Sequence, residues 1–227
     1  MLIGALALTL TIPAAAQDVT PPPIPQLVGS VYPAAGGTDA HRIDTTVKVG
    51  LTLNKESGAT AKEVDFTLPR AVKLSARGFR RCTFSAARHG TCSPRSFVGA
   101  GHLSVRVGKP LTRAEYEITI YADGPRHLVF AYTGDEGIVA GVGDLRGHKL
   151  LVHIPGILRL TPSDKTIFLT GLELELGPAQ AHGRSFAALG SCHGGNHRYA
   201  AHLILVPPDD PLKESEASAK ASSPCRR

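Results

Sequence analysis

Tryptophan is absent from this chain of 227 residues, methionine occurs once, and aromatic residues make up only 5%. That poverty argues against a flat aromatic platform on which sugars or bases would stack. Long apolar runs are missing too. Nothing approaches the ~20 consecutive apolar residues needed to cross a bilayer core as a helix, so no transmembrane span is expected. There is no Cys-x-x-Cys, no His-Glu-x-x-His and no Gly-x-Ser-x-Gly, which removes the best-marked zinc sites and the strand-turn-helix nucleophile of hydrolases. No window of 12 or more residues keeps a helical stripe.

What is present suits an all-β chain. Hydrophobic residues are 42% and charged residues 19%, enough to bury a core. The 24 glycines and 17 prolines favour many turns over long helices. Apolar and polar residues alternate through Val47–Leu53, Val64–Leu68, Leu103–Val107, Tyr116–Ile120, Leu172–Leu176 and Tyr199–Leu205. Alternate side chains of a strand point to opposite faces, so each stretch has one dry face and one wet one. Shorter apolar runs at 127–132, 137–142, 150–154 and 166–169 fill the gaps. Turn signals at 54–58, 123–125, 134–137, 155–156 and 162–164 separate them. The pattern predicts about ten strands in an antiparallel two-sheet, jelly-roll-like sandwich, with a closed β-barrel as the alternative. The Gly-rich stretch Gly141–Gly147 reads as a turn.

The ends read differently. Met1–Ala16, MLIGALALTLTIPAAA, has the apolar run and small-residue exit of a signal peptide. Residues 17–27 form a Pro-rich spacer, 28–207 the folded body, and 208–227 a flexible tail lacking large apolar side chains. The expected location is secreted or associated with the cell envelope.

Four cysteines in an exported chain point to disulfides. Cys82 and Cys92 flank a short polar loop and are expected to pair. Cys192 and Cys225 either tie the tail to the body or remain two thiols, since nothing local fixes their geometry. The segment LPRAVKLSARGFRRCTFSAARHGTCSPRSFVGAGHLSV resembles a group of exported actinobacterial proteins of uncharacterised function. The shared pattern is carried by Pro69, Val72, Cys82, Gly90, Cys92, Ser96, Val98, Gly99 and Gly101, and by Cys192-His193-Gly194-Gly195 before the last strand. The resemblance covers roughly residues 64–206. It departs at Cys92-Ser93-Pro94, where Ser is inserted, at Ala71, and at His197 where an aromatic is usual. It implies fold and compartment and carries no catalytic residues.

Chemistry is sparse in the sequence. His193, His197 and His202 lie near Cys192, but a metal there would need Cys192 as a free thiolate. On a strand, His197 and His202 face opposite ways. No metal or cofactor is expected. Ser96, His102 and Asp144 could nominally compose a hydrolase triad, as almost any sequence could. Asp135, Glu136 and Asp144 lack the alternating ligands of a calcium loop.

A charge concentration remains. Arg70, Lys73, Arg77, Arg80, Arg81, Arg88 and Arg95 lie within 26 residues that contain no Asp or Glu. The chain's net charge is +6 from 25 Lys+Arg and 19 Asp+Glu. Removing these seven cations leaves 18 against 19, so the rest of the chain is near neutral. Six of the seven are Arg, whose planar fork suits phosphate and carboxylate. The functional expectation is a non-catalytic envelope protein holding an anionic cell-wall polymer or acidic glycan, with nucleic acid an open partner. A solvated basic loop is the plain counter-reading. The rivals are a secreted hydrolase and a purely structural module.

Overall fold

In the computed structural model, residues 24–53, 60–107, 112–135, 137–155, 167–192, 195–206 and 212–225 are described. The signal-peptide reading, the prolines at 21–23, the turns at 54–58 and 162–164, His193 and Glu136 lie outside them.

The strands are β1 (Gln26–Tyr32), β2 (Ile43–Asp44), β3 (Thr46–Thr52), β4 (Thr60–Thr67), β5 (Val72–Leu74), β6 (Phe97–Val107), β7 (Thr112–Ala122) and β8 (His127–Gly134). They continue as β9 (Gly137–Arg146), β10 (Lys149–His153), β11 (Ile167–Leu176), β12 (Gln180–Ala181), β13 (Arg184–Ser185), β14 (Ala187–Leu189), β15 (Asn196–Val206) and β16 (Ser215–Pro224). The helix among the described residues, α1 (Phe84–Arg88), is five residues long. Among the described residues no helix is long and apolar enough to cross a membrane.

Eleven strands form one antiparallel sheet in the order β1-β3-β11-β6-β7-β8-β9-β10-β4-β15-β16. Its first and last strands, β1 and β16, come together in space, so the sheet is a nearly closed barrel. β11 also comes close to β4, which is not its neighbour in the sheet. The dry faces expected from the alternation fill the interior, with Val49, Leu51, Phe66, Leu103, Leu172, Leu174 and Leu203 all at most 2% exposed. A small sheet, β2-β14-β5, caps one end.

Four readings need correction. The Pro-rich spacer ends earlier than residue 27, because β1 begins at Gln26 and buries Leu27. β1 pairs with β3 from Gln26↔Thr52 to Tyr32↔Thr46, a ladder that QLVGSVY does not show as apolar alternation. The tail is no flexible segment over its described length. Ser215–Pro224 forms β16 and pairs with β15 through ten residues, Asn196↔Pro224 to Leu205↔Ser215. It needs no large side chains, because Ala217, Ala219 and Ala221 turn toward the core at a seam that leaves little room. Gly141–Gly147 is mostly strand β9 rather than a turn. A Cβ at Gly143 would stand 2.6 Å from the Phe130 ring, and one at Gly141 2.9 Å from the Tyr132 ring. Those glycines make space for the two stacked aromatic rings of β8. Finally, the 166–169 and 172–176 runs are one strand, β11, with a register shift between Leu169 and Gly171.

The barrel's seam is closed by one ring. Tyr199 of β15 is 3% exposed and its hydroxyl lies 3.2 Å from Ser223 Oγ of β16. The ring continues to β1, where a Cβ on Gly29 would fall 2.6 Å from it. A side chain at residue 29 would therefore force β1 away from the seam. Gly29→Val is expected to cost about 1–3 kcal/mol through overpacking, read as a lowered thermal midpoint. An unchanged midpoint would show that β1 does not need this close approach.

The Cys82–Cys92 segment covers the outer face of the barrel. The two cysteines are bonded, with Cα atoms 5.4 Å apart, inside the normal window for a disulfide. Thr83 caps α1 by accepting from the Ala86 N–H. Ala87 then packs with Cys82 on Val129, Ala131 and Ala140 of β8 and β9. Small side chains on both surfaces let a short helix lie close to the sheet. Beyond the bridge, a single turn at Pro94–Ser96 leads into β6. A register shift at Phe97/Gly99 begins that strand, and a Cβ on Gly99 would reach the Glu175 carbonyl at 2.5 Å. The glycines after Cys92 thus serve close backbone approach, as expected of glycine inside a strand.

Candidate functional site: a basic groove at the capped end

The small sheet and two hairpin ends of the barrel enclose a groove of about 490 Å³. Its cations are Arg42, Arg70, Lys73, Arg77 and Arg126, with His148 beside them, and no Asp or Glu among the described residues lines it. Each has a local cause. Arg70 sits in the tight turn closed by Val72 N–H donating to the Pro69 carbonyl at 2.9 Å. Lys73 is the outward residue of β5, between buried Val72 and Leu74. Arg77 precedes Gly78, whose φ of +90° carries the chain round the bend. Arg126 belongs to the β7–β8 connection, and His148 follows Gly147 (φ +67°) in the β9–β10 connection. The bend is anchored below by Ser75 N–H donating to the Phe186 carbonyl at 2.8 Å.

The electrostatics follow from where the acids go. Asp123 is taken by Arg81 at 2.5 Å and Asp144 by His127 at 2.6 Å. Asp44 receives Gln180 and Ser185. Arg42 is partly held, donating to the Ala71 carbonyl at 2.7 Å and lying 3.7 Å from Asp39. Arg70, Lys73, Arg77 and Arg126 have no ion pair among the described residues. Four uncompensated cations on one concave surface raise the local potential for an anion.

The structure therefore divides the seven basic residues found in the sequence. All seven are exposed. Arg70, Lys73 and Arg77 line the groove; Arg80, Arg81, Arg88 and Arg95 do not. Arg88 is the last residue of α1, on the covering loop. Arg42, Arg126 and His148 were not legible as partners, because they stand alone in their own stretches and only the hairpin ends bring them in.

The nominal triad is not assembled. Ser96 is buried and donates to the Ser93 carbonyl at 2.5 Å. Asp144 holds His127. His102 lies mid-strand between Glu117 and Glu173. Other histidines form cross-strand pairs with acids on the outer face, His153 with Glu63 and His202 with Glu216. Such pairs are ordinary sheet stabilisation. His197 is the exception: it is 2% exposed and burial lowers its pKa, opposed by a hydrogen bond to the Ala34 backbone. Burial also pushes the Tyr132 phenol up.

Cys192 and Cys225 are bonded, with Cα atoms 6.1 Å apart. This resolves the two sequence alternatives in favour of the tail bridge. The Cys225 N–H also donates to the Gly195 carbonyl at 3.0 Å. The two sulfurs and one ring nitrogen of His197 lie within 4.8 Å of one another.

A second depression, of about 510 Å³, lies on the outer face of β1, β3, β11 and β6. Its charges are mixed and partly cancelled, with Lys48 and Glu175 paired at 2.7 Å, so it offers no comparable field. No protein-family model matches the chain, and no curated protein matches it.

Proposed function

We propose that this protein is an exported, non-catalytic envelope protein that holds an anionic polymer in the basic groove. The carrying observation is that Arg42, Arg70, Lys73, Arg77 and Arg126 converge on one concavity lined by no acid among the described residues. An open groove with exposed Arg70, Lys73, Arg77 and Arg126 side chains suits a flexible chain of repeated charges better than one enclosed small molecule. Cell-wall polymer and acidic glycan both present such repeats, and extracellular nucleic acid presents the same phosphate chemistry. The two disulfides support an oxidising compartment. The sequence resemblance over residues 64–206 supports the same setting.

Counterion release makes such binding fall linearly in log K with log salt. Inorganic polyphosphate of defined length and a sulfated glycan are the probes, titrated between low and moderate salt. A slope of about −3 to −4 is expected, near one released ion for each uncompensated groove cation. Affinity independent of salt would remove the proposal.

A further inference from the structure

His197, the second residue of β15, has no task in the barrel. It is 2% exposed, and its buried Nε2 has no hydrogen-bond partner among the described residues. Buried polar atoms are rarely left so. The ring is tied to the Ala34 backbone, which assigns that bond to Nδ1 and leaves the Nε2 lone pair free. A backbone bond on one ring nitrogen that fixes the other is how ligating histidines are oriented. The neighbours of this histidine are two sulfurs, those of Cys192 and Cys225, and all three donor atoms fall within 4.8 Å of one another.

We infer that Cys192, His197 and Cys225 form a redox-gated site for a thiophilic metal ion, Zn²⁺ in the first place, that opens when the Cys192–Cys225 bridge is reduced. Two thiolates and one imidazole form a zinc donor set that keeps a fourth position open. Both cysteines are half-buried, so the site is not sealed from solvent. The chemistry balances with a dithiol as reductant. Two electrons and two protons pass to the bridge, giving two thiols, and the dithiol closes to its own disulfide. The metal then displaces one proton from each thiol.

Cys225 does not depend on the S–S bond for its placement. The β15–β16 ladder runs up to Asn196↔Pro224, one residue from each of Gly195 and Cys225. The Cys225 N–H is held by Gly195. Reduction therefore leaves Cys225 beside Cys192 and His197 rather than releasing it. Cys82 and Cys92 are an internal control, because they belong to no metal-ligating group among the described residues.

The full chain is reduced with a dithiol, freed of it without oxygen, and titrated with Zn²⁺ against a chromophoric chelator. Co²⁺ serves as the spectroscopic stand-in. One equivalent is expected, with a thiolate-to-cobalt charge-transfer band and two protons released per metal. The oxidised chain should show no such band. His197→Gln should weaken binding at least about tenfold, the loss found when even an outer partner of a ligand is removed. Because His197 is buried, the wild-type chain provides a second reading. Peptide-resolved alkylation should find Cys192 and Cys225 shielded by Zn²⁺, and Cys82 and Cys92 unshielded. Alkylation indifferent to Zn²⁺, or a folded His197→Gln chain with wild-type affinity, would overturn the site.

Discussion

Replacing Arg70, Lys73 and Arg77 together by glutamine is expected to weaken polyanion binding by roughly one to two orders of magnitude at low salt. The figure takes up to ~1 kcal/mol for each exposed ionic contact. The slope of log K against log salt should flatten by about one for each cation lost. The fold should be untouched, because all three side chains are exposed and surface changes usually stay within about 0.5 kcal/mol. The informative comparison is a second triple variant, Arg80→Gln, Arg88→Gln and Arg95→Gln. It removes the same charge from the same basic stretch but leaves the groove lining intact. Arg81 stays in both variants because Asp123 already holds it at 2.5 Å. Net charge alone predicts equal losses; a site predicts a large loss in the first variant and less than about threefold in the second. Equal losses would reduce the groove to a general basic surface.

That comparison also shows what a sequence can and cannot display about this site. The acid-free run from Arg70 to Arg95 is a local property, and local properties are legible. Its division is not. Lys73 is drawn into the groove because β5 pairs with β14, Ala188 opposite Lys73, a pairing between residues more than a hundred positions apart. Arg126 and His148 arrive on two separate hairpin ends. No periodicity links them to Lys73, so no reading along the chain could have collected them. The neutralised acids are a similar case: Asp123 and Asp144 count as charges in the sequence, yet each is spent on a partner outside the groove.

The strands divide in the same way. Those with large apolar residues at every second position, such as Val64–Leu68 and Leu172–Leu176, declare their dry face directly. β16 has alanine there instead, and alanine beside Ser, Lys and Glu looks like a tail that cannot offset its ordering entropy. What the pattern omits is the backbone. Ten residues of ladder on β15, a covalent tie at one end and a seam against β1 replace side-chain burial as the source of order. Glycine misled in the opposite sense. Gly141 and Gly143 read as part of a turn, whereas Phe130 and Tyr132 require their missing side chains.

Removing residues 212–227 should be the most damaging change to the barrel that leaves its larger core side chains in place. Two losses add. The Cys192–Cys225 bridge spans a sequence separation of 33, and closing a loop of that size contributes about 3–4 kcal/mol in the chain-entropy model. Cys225→Ser alone should cost that much or somewhat less, because β16 stays in its ladder and keeps the chain ends near one another. Deleting the strand goes further. It leaves the outer hydrogen-bonding edge of β15 without a partner over ten residues and uncovers Tyr199 and Gly29 at the seam. An unpaired edge of that length is a template for pairing with another chain. The truncated protein is therefore expected to lose at least as much again in urea midpoint as Cys225→Ser does, and to scatter light at concentrations where the full chain does not. If the truncated chain unfolds at the Cys225→Ser midpoint and stays monomeric, β16 contributes only its cysteine. A truncated chain with the full-length midpoint would mean that neither the strand nor its bridge helps to close the barrel.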